Sequence, residues 1–340
     1  MFDFSHMIDL PLIWGLLIAT AVLMYVLLDG FDLGVGILFP FAPSHQARST
    51  MMNSIAPFWD GNETWLILGG GGLFAAFPLA YAILMPAFYM PIILMLMGLI
   101  MRGVAFEFRF KSSERTRPVW DNVFHFGSLI AAFCQGIILG SFVEGIHVEG
   151  RNFAGGPFDW ATGFSMMVGI AMVFGYALLG ATWIIMKMEG QTQAWARRAA
   201  FYVLIFVGLA MFLVSVCMPF VDARIEALWF STPNFFYLLP IPVTTAILFF
   251  MLWRDLSRKQ AEYRPFILSI LLFIMGYVGL GVSLFPWLIP FKYTIWDAAA
   301  SGPGLSLLLV GALPMLPIIL GYTAYCYWVF RGKASHEHGY

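Results

Sequence analysis

The chain has 340 residues, of which 61% are hydrophobic and 11% charged, and its mean hydropathy is +0.83. That composition excludes an ordinary soluble enzyme and belongs to a polytopic membrane protein. The net charge of −1 is too small to indicate a partner, and nothing in the chain points to nucleic acid.

A membrane-crossing helix needs roughly 20 apolar residues. Leu10–Leu28 carries no charge and opens a first span expected over 10–39, ending before Pro40. Residues 64–101 are free of charge over 38 positions, too long for one helix. A break at Phe77-Pro78 divides them into a second span over 57–77 and a third over 79–101. The second begins near Pro57, a residue suited to a first helical turn. Further spans are expected over 125–143, 160–186, 199–221, 233–253, 265–286 and 303–330. The expected fold is all-α, with nine transmembrane helices in a single integral membrane domain over 1–340, arranged as two four-helix bundles plus one helix.

Nine crossings put the termini on opposite sides. The connections between alternate spans, together with the C-terminal tail, hold 15 of the 18 Lys and Arg residues. Arg151, Arg224 and Lys292 are the three on the other side. Basic residues stay cytoplasmic, so the N-terminus is expected outside and the C-terminus inside. Met1–Asp9 has no basic residue, so no cleaved signal peptide is expected.

Two acidic pairs lie in apolar sequence. Asp29 and Asp32 sit in Leu28-Asp-Gly-Phe-Asp-Leu-Gly-Val-Gly36. Asp60 and Glu63 sit in Pro57-Phe-Trp-Asp-Gly-Asn-Glu-Thr-Trp-Leu66. Residues three apart share a helix face, and carboxylates in membrane helices mark ion or proton paths or buried ion pairs. Gly30 and Gly34, with the run Gly69–Gly72, are small residues of the kind that let membrane helices approach closely. Packing of the first span on the second is expected to bring the two acidic pairs together, with Asp32 and Glu63 nearer the surface than Asp29 and Asp60. Asn62 is a candidate to orient water between them. Arg102, Trp59 and Glu107 are candidate charge partners or cofactor-facing groups, while Arg109 and Lys111 read as anchors at the membrane edge.

The six histidines are His6, His45, His125, His147, His336 and His338, and none falls at mid-span. Haem iron in a bilayer is normally held by His, or a Met/His pair, projecting from helix interiors. No copper or di-iron ligand set is evident either. The cysteines Cys134, Cys217 and Cys326 are isolated in apolar runs and read as packing residues. Any redox metals are therefore expected in another chain, with no catalytic residue and no metal site in this one.

Four stretches carry a resemblance to subunit II of the cytochrome bd-type quinol oxidases. They are Asp29-Gly-Phe-Asp-Leu-Gly-Val-Gly36, Asn53-Ser-Ile-Ala-Pro-Phe-Trp-Asp-Gly-Asn62 with Trp65-Leu66, Arg102-Gly-Val-Ala-Phe-Glu-Phe-Arg109 and Gly321-Tyr-Thr-Ala-Tyr-Cys-Tyr-Trp328. Gly61-Asn-Glu-Thr-Trp65 and the Arg102–Arg109 stretch look like the cyanide-insensitive branch. The resemblance implies a haem-bearing subunit I as partner, carrying two b haems, haem d and the quinol site. It implies a complex in a bacterial inner membrane that oxidises quinol, reduces O2 to water and takes protons from the cytoplasm. Some members also have a small third subunit or a structural quinone. Aspartates matching Asp29 and Asp60 are assigned to proton entry. Glu63 stands where the family also uses a neutral amide, which argues against an essential role. A proton-coupled transporter is the competing reading, and a scaffold without conduction is a third.

Overall fold

The computed structural model describes residues 8–258 and 261–334. His6, His336, His338 and Lys259 lie outside the described residues, as does most of the N-terminal stretch read for a signal peptide. The helices are α1 (Leu10–Leu38), α2 (His45–Ile55), α3 (Trp59–Ala76), α4 (Pro78–Ala87), α5 (Tyr89–Lys111), α6 (Arg117–Glu144) and α7 (Gly163–Lys187). They continue as α8 (Gly190–Val221), α9 (Ala223–Phe230), α10 (Asn234–Leu238), α11 (Pro240–Arg258), α12 (Arg264–Leu284), α13 (Ile295–Ala298) and α14 (Gly302–Val329). Two antiparallel hairpins, β1 (Val148–Glu149) with β2 (Asn152–Phe153) and β3 (Trp287–Ile289) with β4 (Tyr293–Thr294), cap one end.

Local chemistry sets the ends of these helices. Asp9 caps α1 by accepting from the Leu12 amide at 3.0 Å. Thr162 and Ser165 form a reciprocal capping box at the start of α7, which satisfies amides that have no partner inside the helix.

Among the described residues, eight helices are long and apolar enough to cross a membrane. The expected second span appears as α3, whose 18 residues open with Asp60, Asn62 and Glu63 and which is not among the eight. The expected third span, 79–101, is divided: α4 ends at Ala87 and α5 starts at Tyr89. Pro91 has no N–H for the Ala87 carbonyl and its ring crowds that oxygen, so the helix restarts there and runs on to Lys111. The span expected over 125–143 begins two turns earlier, at Arg117, with a proline in its first turn. The span expected over 199–221 begins at Gly190. The span expected over 233–253 is split at Leu239, with α11 continuing to Arg258. Helices α2 and α9 fall in stretches read as connections.

Helix α7 joins the first group of long helices to the later ones. It packs on α1 and α6 on one side and on α8 and α12 on the other. Its segment Tyr176–Ile185 is buried throughout. The close approach at Gly34 is to α7 rather than to the second expected span. A Cβ on Gly34 would sit 1.8 Å from the Tyr176 carbonyl oxygen, and one on Gly180 would sit 2.3 Å from the Gly34 carbonyl carbon. Backbone therefore meets backbone, as small residues permit in membrane helices. Helix α3 lies on α1 through Gly69 and Gly72, against Val22 and Ile18. Helix α14 contacts α1 and α3. At the hairpin end, a second core gathers Trp14, Phe77, Ile83 and Ile289. There the Trp14 indole donates to the Leu305 carbonyl at 3.1 Å.

Candidate functional site

The second half of α1 is wrapped on every side: residues 29–39 are all buried. Asp29 and Asp32 therefore lie in the interior, each with no exposed surface. The expectation that Asp32 sits nearer the surface is corrected by this packing. Arg102 comes from α5 and is equally buried. Its guanidinium donates through Nη1 to Asp29 and, through Nη2, to Glu63 of α3 at 3.0 Å. Three helices are thus tied by one side chain. The Glu63 side chain keeps 27% of its surface, so it connects the buried pair to the outside. The Arg102 Cζ also lies 5.8 Å from the centre of the Trp59 ring, which stacks on Phe106 at 5.0 Å.

Asp32 has a different partner. Asn62 donates to its Oδ2 at 2.7 Å and to the Leu28 carbonyl at 3.3 Å. The Tyr327 hydroxyl of α14 donates to Asn62 Oδ1 at 2.9 Å. Asp29 Oδ2, Asp32 Oδ1 and Arg102 Nε are buried without a hydrogen-bond partner among the described residues. The cluster thus sets three carboxylates against one guanidinium, and burying several charges with incomplete pairing is costly. Beside it runs a chain of neutral groups: Tyr176 donates to Gln135 at 2.6 Å, and Gln135 donates to Tyr25 at 2.7 Å.

Of the residues singled out in the sequence, Asp29, Asp32, Asn62, Glu63, Arg102 and Trp59 come together, and Asp60 and Glu107 do not. Asp60 is exposed. The inward face of α3 is set by Asn62, Trp65, Gly69 and Ala76, and a turn of about 100° per residue carries Asp60 about 160° from Asn62. The expected juxtaposition of Asp29 with Asp60 is replaced by Asp29 with Arg102 and Glu63. Glu107 is exposed and pairs with Lys111 at 3.2 Å. Arg109, read as an edge anchor, is buried. It meets Asp121 at 2.5 Å, which also takes Arg48 of α2 at 2.8 Å. This second network pins the amphipathic α2 to α5 and α6. Tyr25, Gln135, Tyr176 and Tyr327 have no signature in the sequence beyond being polar groups within apolar helices.

Over residues 10–330 the chain matches the family described as cytochrome bd terminal oxidase subunit II. The chain belongs to that family. It is 31% identical to cytochrome bd-I ubiquinol oxidase subunit 2 of Escherichia coli K12, with 96% of each chain covered. It is 30% identical to cytochrome bd ubiquinol oxidase subunit 2 of Bacillus subtilis 168, covering 96% of this chain and 97% of that one. The solved bd oxidase from Geobacillus thermodenitrificans shares the fold of this subunit II chain at a TM-score of 0.71. That likeness has 16% identity and covers 95% of this chain and 99% of that one. Among the described residues, no group of three or more His, Cys, Asp or Glu side chains is placed to hold a metal ion.

Proposed function

We propose that this chain is the haem-free subunit of a quinol-oxidising, O2-reducing oxidase, that it holds a haem-bearing subunit I, and that it carries protons toward it from the cytoplasmic side. The buried Asp29–Arg102–Glu63 bridge, with Asp32 beside it, is the observation that carries the reading. Apolar helices offer protons no path, whereas a partly exposed glutamate linked to buried carboxylates does. One guanidinium among three carboxylates fixes one negative charge firmly and leaves the others able to share a proton. In this chain Glu63, bound to Arg102 and partly exposed, is the entry although the resemblance also allows a neutral amide at its position; Asp29 is the charge held by Arg102, and Asp32 with Asn62 and Tyr327 is the inner relay.

The haem-free reading is supported by where the described histidines sit. His45 begins α2, His147 borders β1, and the His125 Nδ1 is within 3.2 Å of the Gly36 carbonyl. His45 and His147 lie at or beyond helix ends, and His125, two turns inside α6, is engaged by the Gly36 carbonyl of α1, so the three are not arranged as a facing pair of haem ligands from helix interiors. The redox chemistry is supplied by haems in the partner. Helix α3, preceding the short α4, completes a ninth crossing, which leaves the N-terminus outside and the arginine-rich end in the cytoplasm of a bacterial cell. The exposed stripe Asp60, Thr64, Ile67, Gly71 and Phe74 on α3 has helical spacing and faces subunit I.

Asp29→Asn and Asp32→Asn test the proposal. Each keeps the side-chain size; Asp29→Asn removes the charge that Arg102 holds, and Asp32→Asn removes the carboxyl that relays the proton. The expected result is a complex with an unaltered haem spectrum and an O2 consumption rate lowered by about tenfold or more. Assembled variants that both consume O2 at the wild-type rate would place the proton route elsewhere.

A further inference from the structure

At the arginine-rich end of the bundle, remote in sequence from the acidic cluster, the ends of α11 and α12 border an open cavity of about 350 Å³ lined by Arg254, Asp255, Arg258, Ala261 and Arg264. Its size falls within the roughly 300–1,000 Å³ of small-ligand sites. We propose that this cavity binds the phosphodiester headgroup of an anionic membrane phospholipid, with the acyl chains lying along α11 and α12.

Three guanidiniums face one carboxylate. Asp255 is buried and its Oδ2 lies 3.2 Å from Arg264 Nε, so it orients one arginine, while Arg254 and Arg258 have no carboxylate in salt-bridge contact among the described residues. Arg254, Arg258 and Arg264 are exposed, and guanidiniums match phosphate oxygens in pairs. The cavity wall is fixed from behind. Arg197 of α8, 94% buried by its 6% exposure, donates through Nη2 to the Ala261 carbonyl at 2.8 Å. Its Nη1 is buried without a hydrogen-bond partner among the described residues. The acid of this loop is drawn off: Glu262 accepts from Lys333 at 2.7 Å and from Gln193 at 3.1 Å. Hydrogen bonding by Lys333 foremost, then Gln193, keeps the Glu262 carboxyl below its ordinary range, so it remains ionised and committed to those donors.

The surroundings select a lipid over a soluble phosphate. One turn from Arg254 along α11 is Phe250, followed by Ile247, and one and two turns from Arg264 along α12 are Ile267 and Leu271; all four are exposed. A cationic cavity thus opens onto two apolar helix faces packed against each other. A basic pocket between membrane helices with apolar walls beyond it matches a phospholipid headgroup followed by its chains.

The test uses the full-length protein in its purified native complex, stripped of lipid in detergent and titrated with dioleoyl phosphatidylglycerol, dioleoyl phosphatidylcholine or inorganic phosphate. Bound lipid is counted by native mass spectrometry. The expected result is saturable retention of phosphatidylglycerol over phosphatidylcholine. In R254Q/R258Q/R264Q that retention weakens about a hundredfold, on the scale of removing three basic groups at a membrane surface. The control R115Q/R117Q, at another basic connection, keeps it. Should the triple variant not assemble, R258Q alone carries the test, with a loss of about fivefold. Equal retention of both lipids, equal loss in the control, unchanged retention in the cavity variants, or displacement by millimolar phosphate alone would each overturn the proposal.

Discussion

The Tyr327 hydroxyl donates to Asn62 Oδ1 at 2.9 Å across 265 residues of sequence. Through it, the last long helix closes over the buried acids of the first. Asn62 is thereby used on both sides: its amide donates to Asp32 while its carbonyl oxygen accepts from Tyr327. The Tyr327 ring also stacks on Phe58 at 4.4 Å.

Tyr327→Phe separates these roles. The ring stack remains, but Asn62 Oδ1 loses its donor in a buried place. The expected cost is about 1–3 kcal/mol of stability, read as a lower melting temperature of the assembled protein. A melting temperature equal to that of the wild type would mean that water replaces the hydroxyl without loss. Turnover measured on the same preparation tests the relay: it falls if Tyr327 fixes the donor to Asp32.

Arg102→Gln removes the single cation of the cluster and strands Asp29 and Glu63. Breaking a buried ion pair from one side costs about 3–5 kcal/mol, so this variant is expected to assemble poorly. In R102Q/D29N the stranded charge is removed as well, and assembly recovers part of the loss. A double-mutant cycle on yield and melting temperature measures the coupling. Strictly additive losses would show that the two side chains do not depend on each other.

Much of this was legible in the residues. The acidic pairs, Asn62 and Arg102 stand out because polar groups in apolar helices have few reasons to be there. The rotation of α3 was less readable. Three-residue spacing puts Asp60 and Glu63 on neighbouring sides, yet the direction of the core is set by Trp65, Gly69 and Ala76. That direction admits Asn62, grazes Glu63 and excludes Asp60. The charge-free stretch 64–101 contains Pro78, Pro86 and Pro91, and hydropathy alone cannot say which of them divide it. Helix α2 has too few apolar residues for a span. It is held by Arg48 on Asp121, a contact between residues 73 apart that no local pattern announces. Tyr327 and Tyr176 look like ordinary aromatics of a membrane helix until their partners are known.

The glycines divide into two kinds, and substitution distinguishes them. Gly180→Val places side-chain atoms into the α1 backbone at Gly34 and is expected to abolish folding of the bundle, seen as loss of the protein from membranes. At Gly71, by contrast, a Cβ meets nothing within 4 Å. Gly71→Leu should therefore leave this chain folded while disturbing whatever packs on the exposed stripe of α3. Copurification with a haem-bearing subunit reads that effect. Normal haem recovery with Gly71→Leu would move the contact with subunit I away from this stripe.

Glu63 and Asp60 make the sharpest comparison, since they lie three residues apart and differ in what they touch. Glu63 is bound to Arg102 at 3.0 Å and remains partly exposed, so it joins the buried acids to the outside. Asp60 is exposed on another side of the helix. If protons enter through the bridge, Glu63→Gln interrupts the route at its mouth while keeping a group able to hydrogen-bond. Turnover should then fall by about an order of magnitude, most severely at high pH, where protons are scarce. Asp60→Asn should leave turnover close to wild type at every pH, provided the complex assembles. O2 consumption by both variants across about pH 6 to 9, the range in which such groups govern proton transfer, decides between them. The reverse ranking, with Asp60→Asn slow and Glu63→Gln unaffected, would put the entry on the exposed stripe of α3 and reduce the Arg102 bridge to a structural tie.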